Sequence, residues 1–101
     1  MPYLNMTERG LLEQIIETTI SEIPYTVQLH RMEGVRKTWQ YKNPDDFVLG
    51  YIHGRILYTF ESVLKMTAER KRGLTDEGLK ETLEIMYKRM PEIREAIFKE
   101  G

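Results

Sequence analysis

Hydrophobic and polar positions alternate along this chain with two different periods. Over residues 7–23, Leu11, Leu12, Ile15, Ile16, Thr19, Ile20 and Ile23 recur at 3.6-residue spacing, and Glu13, Gln14, Glu17, Ser21 and Glu22 fill the other side. That is an amphipathic helix with one buried face. Thr7 is its expected N-cap, with Glu8 placed to meet the positive end of the helix dipole. Pro24, lacking an amide proton, is expected to stop it.

In residues 25–42 the period drops to two, and β-branched and aromatic residues appear. A three-residue loop at Met32-Glu33-Gly34, with Gly34 left-handed, pairs Tyr25 with Tyr41, Val27 with Trp39, Leu29 with Lys37 and Arg31 with Val35. Three of these pairs place apolar groups on one face. Thr26, Gln28, His30, Arg36, Thr38 and Gln40 line the other. A two-residue turn mixes the faces, so the pattern predicts a β-hairpin in the first register. A helix through this stretch is the rival, disfavoured by Gly34 and the β-branched residues.

Asn43-Pro44-Asp45-Asp46 is a helix start: a cap, a proline at the first position, then two acids. The helix is expected to reach Arg72, with Gly73 just beyond its end. Thr75 caps a fourth element running from Asp76 to about Met90, with Leu79, Leu83, Met86 and Met90 as its apolar line. Pro91 restarts a short helix with Ile93, Ile97 and Phe98 inward. The expectation is one domain, residues 1–101, of α+β class and mostly helical: helix, β-hairpin, long helix, helix, short C-terminal helix.

Composition narrows the chemistry. The 101 residues include no cysteine, so disulfides, thiolate metal sites and cysteine nucleophiles are excluded. There is no signal-peptide pattern. The longest apolar run, Phe47 to Phe60, is broken by His53 and Arg55 and is too short to span a bilayer. A cytoplasmic protein without membrane contact is expected. Glutamate outnumbers aspartate thirteen to three, beside two Asn and three Gln, a bias that points towards a thermophilic source. Net charge is −1. Residues 1–24 are acidic, with four glutamates against Arg9. Residues 25–43 are the basic stretch, with Arg31, Arg36, Lys37 and Lys42 against Glu33.

Two surfaces are candidates for binding. The long helix has an apolar arc of Leu49, Ile52, Ile56, Phe60 and Val63. Beside it runs a stripe of Asp46, Gly50, His53, Gly54, Leu57, Glu61, Leu64 and Ala68. Each mid-helix glycine costs about 1 kcal/mol relative to alanine. A pair four residues apart suggests a close neighbour: another helix of this chain, a subunit partner, or a ligand or nucleic-acid backbone. Gly50, His53, Gly54, Leu57 and Glu61 are therefore the candidate interaction face. The second surface is the hairpin. His30, Arg31, Arg36, Lys37 and Lys42 lie near Trp39, Tyr25 and Tyr41, a mixture of cations and aromatics suited to nucleic acid or to an acidic protein. Its plain alternative is an ordinary solvated strand face.

Catalytic and metal signals are thin. The only serines are Ser21 and Ser62, in no nucleophile motif, and the glycines never cluster into a phosphate loop. With two histidines and no ligand spacing, no metal or cofactor site is expected, and no small-molecule substrate is evident. The expected function is a non-enzymatic interaction module, either an accessory subunit or a homodimer. The alternative is nucleic-acid binding through the hairpin.

Overall fold

The computed structural model of the protein describes residues 3–99, apart from the side chain of Ala68. Five α-helices follow one another: α1 (Met6–Arg31), α2 (Glu33–Trp39), α3 (Pro44–Leu64), α4 (Asp76–Lys88) and α5 (Met90–Phe98). A 3₁₀ turn, Ala68–Arg70, lies between α3 and α4. Among the described residues there is no strand. The α+β expectation is therefore corrected to all-α. The hairpin of residues 25–42 is replaced by the second half of α1, by α2 and by the link to α3.

The reason lies in the buried face of α1. Leu12, Ile16, Thr19, Ile23, Thr26, Val27 and His30 form one stripe that continues across Pro24. A proline inside a helix costs about 3 kcal/mol. Burying a side chain the size of Val27 returns about 1.5–3 kcal/mol, and Thr26, Val27 and His30 all lie beyond the proline. Continuation wins. The period-two match was accidental: Val27 is fully buried, while Tyr25 and Leu29, which a strand would place on the same face, are exposed. Gly34 sits inside α2, and the positive φ values fall instead at Gln40 and Gly73. Trp39 does not face Val27 in the core; it is 66% exposed.

The ends of the helices follow local chemistry. The cap of α1 is Asn5, not Thr7. Its Oδ1 accepts from the Glu8 amide at 2.7 Å, and Glu8 Oε1 accepts from the Asn5 amide at 2.9 Å, a reciprocal capping box. Asn43 caps α3 as expected, accepting from the amides of Asp45 and Asp46 at 3.0 and 3.2 Å. Thr75 caps α4 through the Gly78 amide at 3.1 Å. The far end of α3 departs from expectation. It stops at Leu64, where Thr67 N–H donates to the Leu64 carbonyl at 2.9 Å, and does not reach Arg72. Lys65, Met66 and Thr67 are exposed and offer no core face to extend. Gly73 has its left-handed φ of 85°, but in the loop before α4.

α1 is the spine. Its 26 residues span about 39 Å of a molecule 45 Å long. It packs most extensively on α3 and next on α5, and α5 also touches α3. The core joins Leu12, Ile16, Ile23 and Val27 of α1 to Val48, Ile52, Ile56, Phe60 and Leu64 of α3. Met86 of α4, Ile93 and Ile97 of α5, and Leu4 ahead of α1 complete it. The α3 row is thus shifted from the expected arc: Leu49 is partly buried and Val63 exposed. In α4, Leu79 is exposed, whereas Thr82 is buried with its hydroxyl donating to the Gly78 carbonyl at 2.8 Å.

Arginines tie the helices together. All four glutamates of the acidic N-terminal segment meet one. Glu8 pairs with Arg70 at 2.8 Å, Glu13 with Arg89 at 2.9 Å, Glu17 also with Arg89, and Glu22 with Arg55. Hydrogen bonding from Arg70 holds the Glu8 carboxyl below its ordinary range, against a burial effect of opposite sign.

Candidate functional site

The helical solution splits the basic group. His30 turns inward and is only 8% exposed. Its Nδ1 lies 2.8 Å from the Thr26 carbonyl, and its ring packs at 5.4 Å from Phe47 and 5.5 Å from Tyr51. Its own carbonyl accepts from the Tyr41 hydroxyl. Arg31 makes a forked contact with Asp45 at 3.0–3.2 Å, which anchors the end of α1 to the start of α3. Arg36 and Lys37 stand exposed on α2, and Lys42 is exposed in the link to α3. Lys37 reaches Glu33 at 3.3 Å along its own helix.

The glycine stripe presents a clearer geometry. A Cβ added to Gly50 or Gly54 would meet no atom within 4 Å among the described residues. Of the neighbours expected here, a helix of this chain is therefore not found against these positions among the described residues. The face is open. Leu57 and Glu61 are partly buried at its edge, and Glu61 pairs with Lys65 at 3.5 Å. Leu64, expected in this stripe, belongs to the core. His53 is partly buried, and its ring lies against Tyr87 of α4, centroids 6.4 Å apart and planes 23° from parallel. Among the described residues no hydrogen-bond partner of His53 is found.

Aromatic side chains border this face, and sequence reasoning missed them. Tyr51, Tyr58 and Tyr87 are all exposed, Tyr58 to 77%. The signal was present, since Tyr51, Gly54 and Tyr58 fall within 60° on a helical projection. Neither the apolar arc nor the glycine stripe expected for this helix included a tyrosine.

No three carboxylate or imidazole groups converge as metal ligands among the described residues. No helix of the described chain is long and apolar enough to cross a membrane. Comparison with protein-family models, with curated proteins and with solved structures finds no match.

Proposed function

We propose that this protein is a non-enzymatic interaction module that pairs with a second copy of itself through the outward face of α3. One observation carries the reading: Gly50 and Gly54 lie open in mid-helix, with exposed tyrosines around them. Two glycines give up about 2 kcal/mol of helix stability relative to alanine, and among the described residues nothing lies within 4 Å of where either Cβ would stand.

The row Gly50–Gly54–Tyr58 has four-residue spacing, so its members stand one above another. It reads gap, gap, knob. An antiparallel copy centred on Gly54 sets Tyr58 of each protomer opposite Gly50 of the other. That is the reciprocal contact a two-fold interface requires. Interdigitated rows of this spacing cross at about −50°, the commonest helix packing class. A stable interface buries about 800 Å² per partner, roughly a ninth of the 6966 Å² surface of this chain. One helix face is smaller than that, so Tyr51 and Tyr87 at its border extend the contact.

Sedimentation equilibrium tests the proposal. The parent is expected to dimerise. Gly54→Leu is expected to be monomeric with unchanged helical circular dichroism, because a Cβ at this position meets no atom within 4 Å among the described residues. A parent that stays monomeric at its highest soluble concentration overturns self-pairing, as does a Gly54→Leu dimer of parental affinity.

A further inference from the structure

Charge matching in this molecule is uneven. The acids of α1 each hold an arginine, and Arg31 and Lys37 have carboxylate partners. Arg36 and Lys42 find no acidic partner among the described residues, as is also true of Lys71, Arg72, Lys80, Lys88, Arg94 and Lys99. Arg36 lies on α2 and Lys42 in the link between α2 and α3. Arg36 lines a groove there with Arg31, Glu33, Lys37, Gln40 and Tyr41.

Beside this groove stands an open aromatic. Trp39 lies three residues after Arg36, on the same side of α2. Phe47 supports its ring at a centroid distance of 6.3 Å, and Tyr41 stacks on Phe47 at 4.4 Å. The indole is held on one side and two-thirds exposed. Leaving so much tryptophan surface in water is unfavourable unless something covers it. Cations alone would suit any anion. A supported, open indole one turn from an unpaired guanidinium suits an anion that carries flat rings.

We propose that the α1–α2–α3 junction binds single-stranded nucleic acid, with phosphates on Arg36, Lys37 and Lys42 and a base stacked on Trp39. The site differs from the expected hairpin surface, since His30 is in the core and Arg31 is bound to Asp45. It is also small. Three phosphates give a log–log salt slope of about −2, and affinity belongs in the sequence-independent range of about 10⁻⁴–10⁻⁶ M.

Trp39 is the only tryptophan, so its emission reports the site directly. A short oligothymidylate titrated into the full chain at low salt is expected to quench that emission to saturation, with the midpoint rising with salt. Arg36→Ala combined with Lys37→Ala is expected to flatten the salt slope by about 1.4, at unchanged helical circular dichroism. Trp39→Ala is expected to weaken binding of a labelled oligothymidylate at least about fivefold. Absence of quenching at the lowest salt overturns the proposal. So does equal quenching by polyglutamate, which would identify an acidic protein surface as the ligand, or a charge-deleted variant that binds like the parent. No residue is shared with the α3 face, so loss of this site leaves self-pairing standing.

Discussion

Pro24 removes one amide donor from the middle of α1, and the helix continues regardless. The proline is exposed, so replacing it opens no cavity. Pro24→Ala is expected to raise stability by about 1–3 kcal/mol in urea unfolding, by restoring a helical hydrogen bond and a better helix former. A loss of stability would mean that the break at Pro24 shapes the packing. Glu8 is the other informative residue. It is 6% exposed, capped to Asn5 and paired with Arg70, whose side chain also donates to the Tyr3 carbonyl at 2.6 Å. Its carboxyl ionises below the ordinary 4.5. The sign follows from linkage: a folded value below the unfolded one stabilises the fold above pH 4.5, and that contribution is lost as pH falls through the folded value. Glu8→Gln is expected to cost about 1–3 kcal/mol at neutral pH. It is also expected to flatten the stability profile below pH 4.5. A parallel profile would show that other carboxylates carry the acid sensitivity.

Among the elements, α2 and α3 stand at opposite limits. α3 contributes five fully or almost fully buried apolar side chains, and α2 buries none and has no side-chain cap. Opening free energy follows buried contact, so amides of residues 36–39 are expected to exchange close to the rate of unstructured chain, and those of 52–60 only on global unfolding. Equal protection of both would indicate that something covers α2, as a bound polyanion would. The glycines of α3 make a paired prediction. Gly50→Ala and Gly54→Ala each meet open space, so each is expected to stabilise the protomer by about 1 kcal/mol. If self-pairing uses this face, the same substitutions weaken the dimer in sedimentation. Stabilisation with parental dimer affinity would remove the glycines from the interface.

At the scale of the molecule, the charged groups act mainly as couplers between helices. Arg89, in the turn between α4 and α5, contacts Glu13 and Glu17 of α1 and Glu92 of α5. The hydrogen bonds it donates to Glu92 and Glu17 hold its guanidinium well above the ordinary arginine range. Arg9 meets Glu81 of α4, which also accepts from the Tyr3 amide at 2.6 Å. The acidic first segment is thus matched internally, and Arg36 and Lys42 keep uncompensated charge at one end. Exposed pairs are screened by salt. The parent is therefore expected to lose thermal stability between low and moderate sodium chloride, and Arg89→Gln to lose less. An identical salt response in both would show that Arg89 does not couple the helices.

Several features were legible in the sequence because their causes are local. Asn43-Pro44 and Thr75 start helices through hydrogen bonds that close within four residues. The inward positions of Ile16, Ile23, Ile93 and Ile97 follow from period alone. The open glycine pair was visible as a pair. Its surroundings were not, because whether a neighbour approaches Gly54 depends on where α1, α4 and α5 settle. The same limit explains the missing hairpin. Residues 25–31 satisfy a period of two and a period of 3.6 almost equally well, and only α3, packed against Val27 and His30, decides between them. The end of α3 was also a tertiary outcome. Arg70 leaves the helical course to reach Glu8, 62 residues earlier in the chain. Sequence determined which segments become helical where caps and period agree. Packing decided the ambiguous segment, because burial of a shared face outweighs both a proline and a β-pattern that hides fewer side chains.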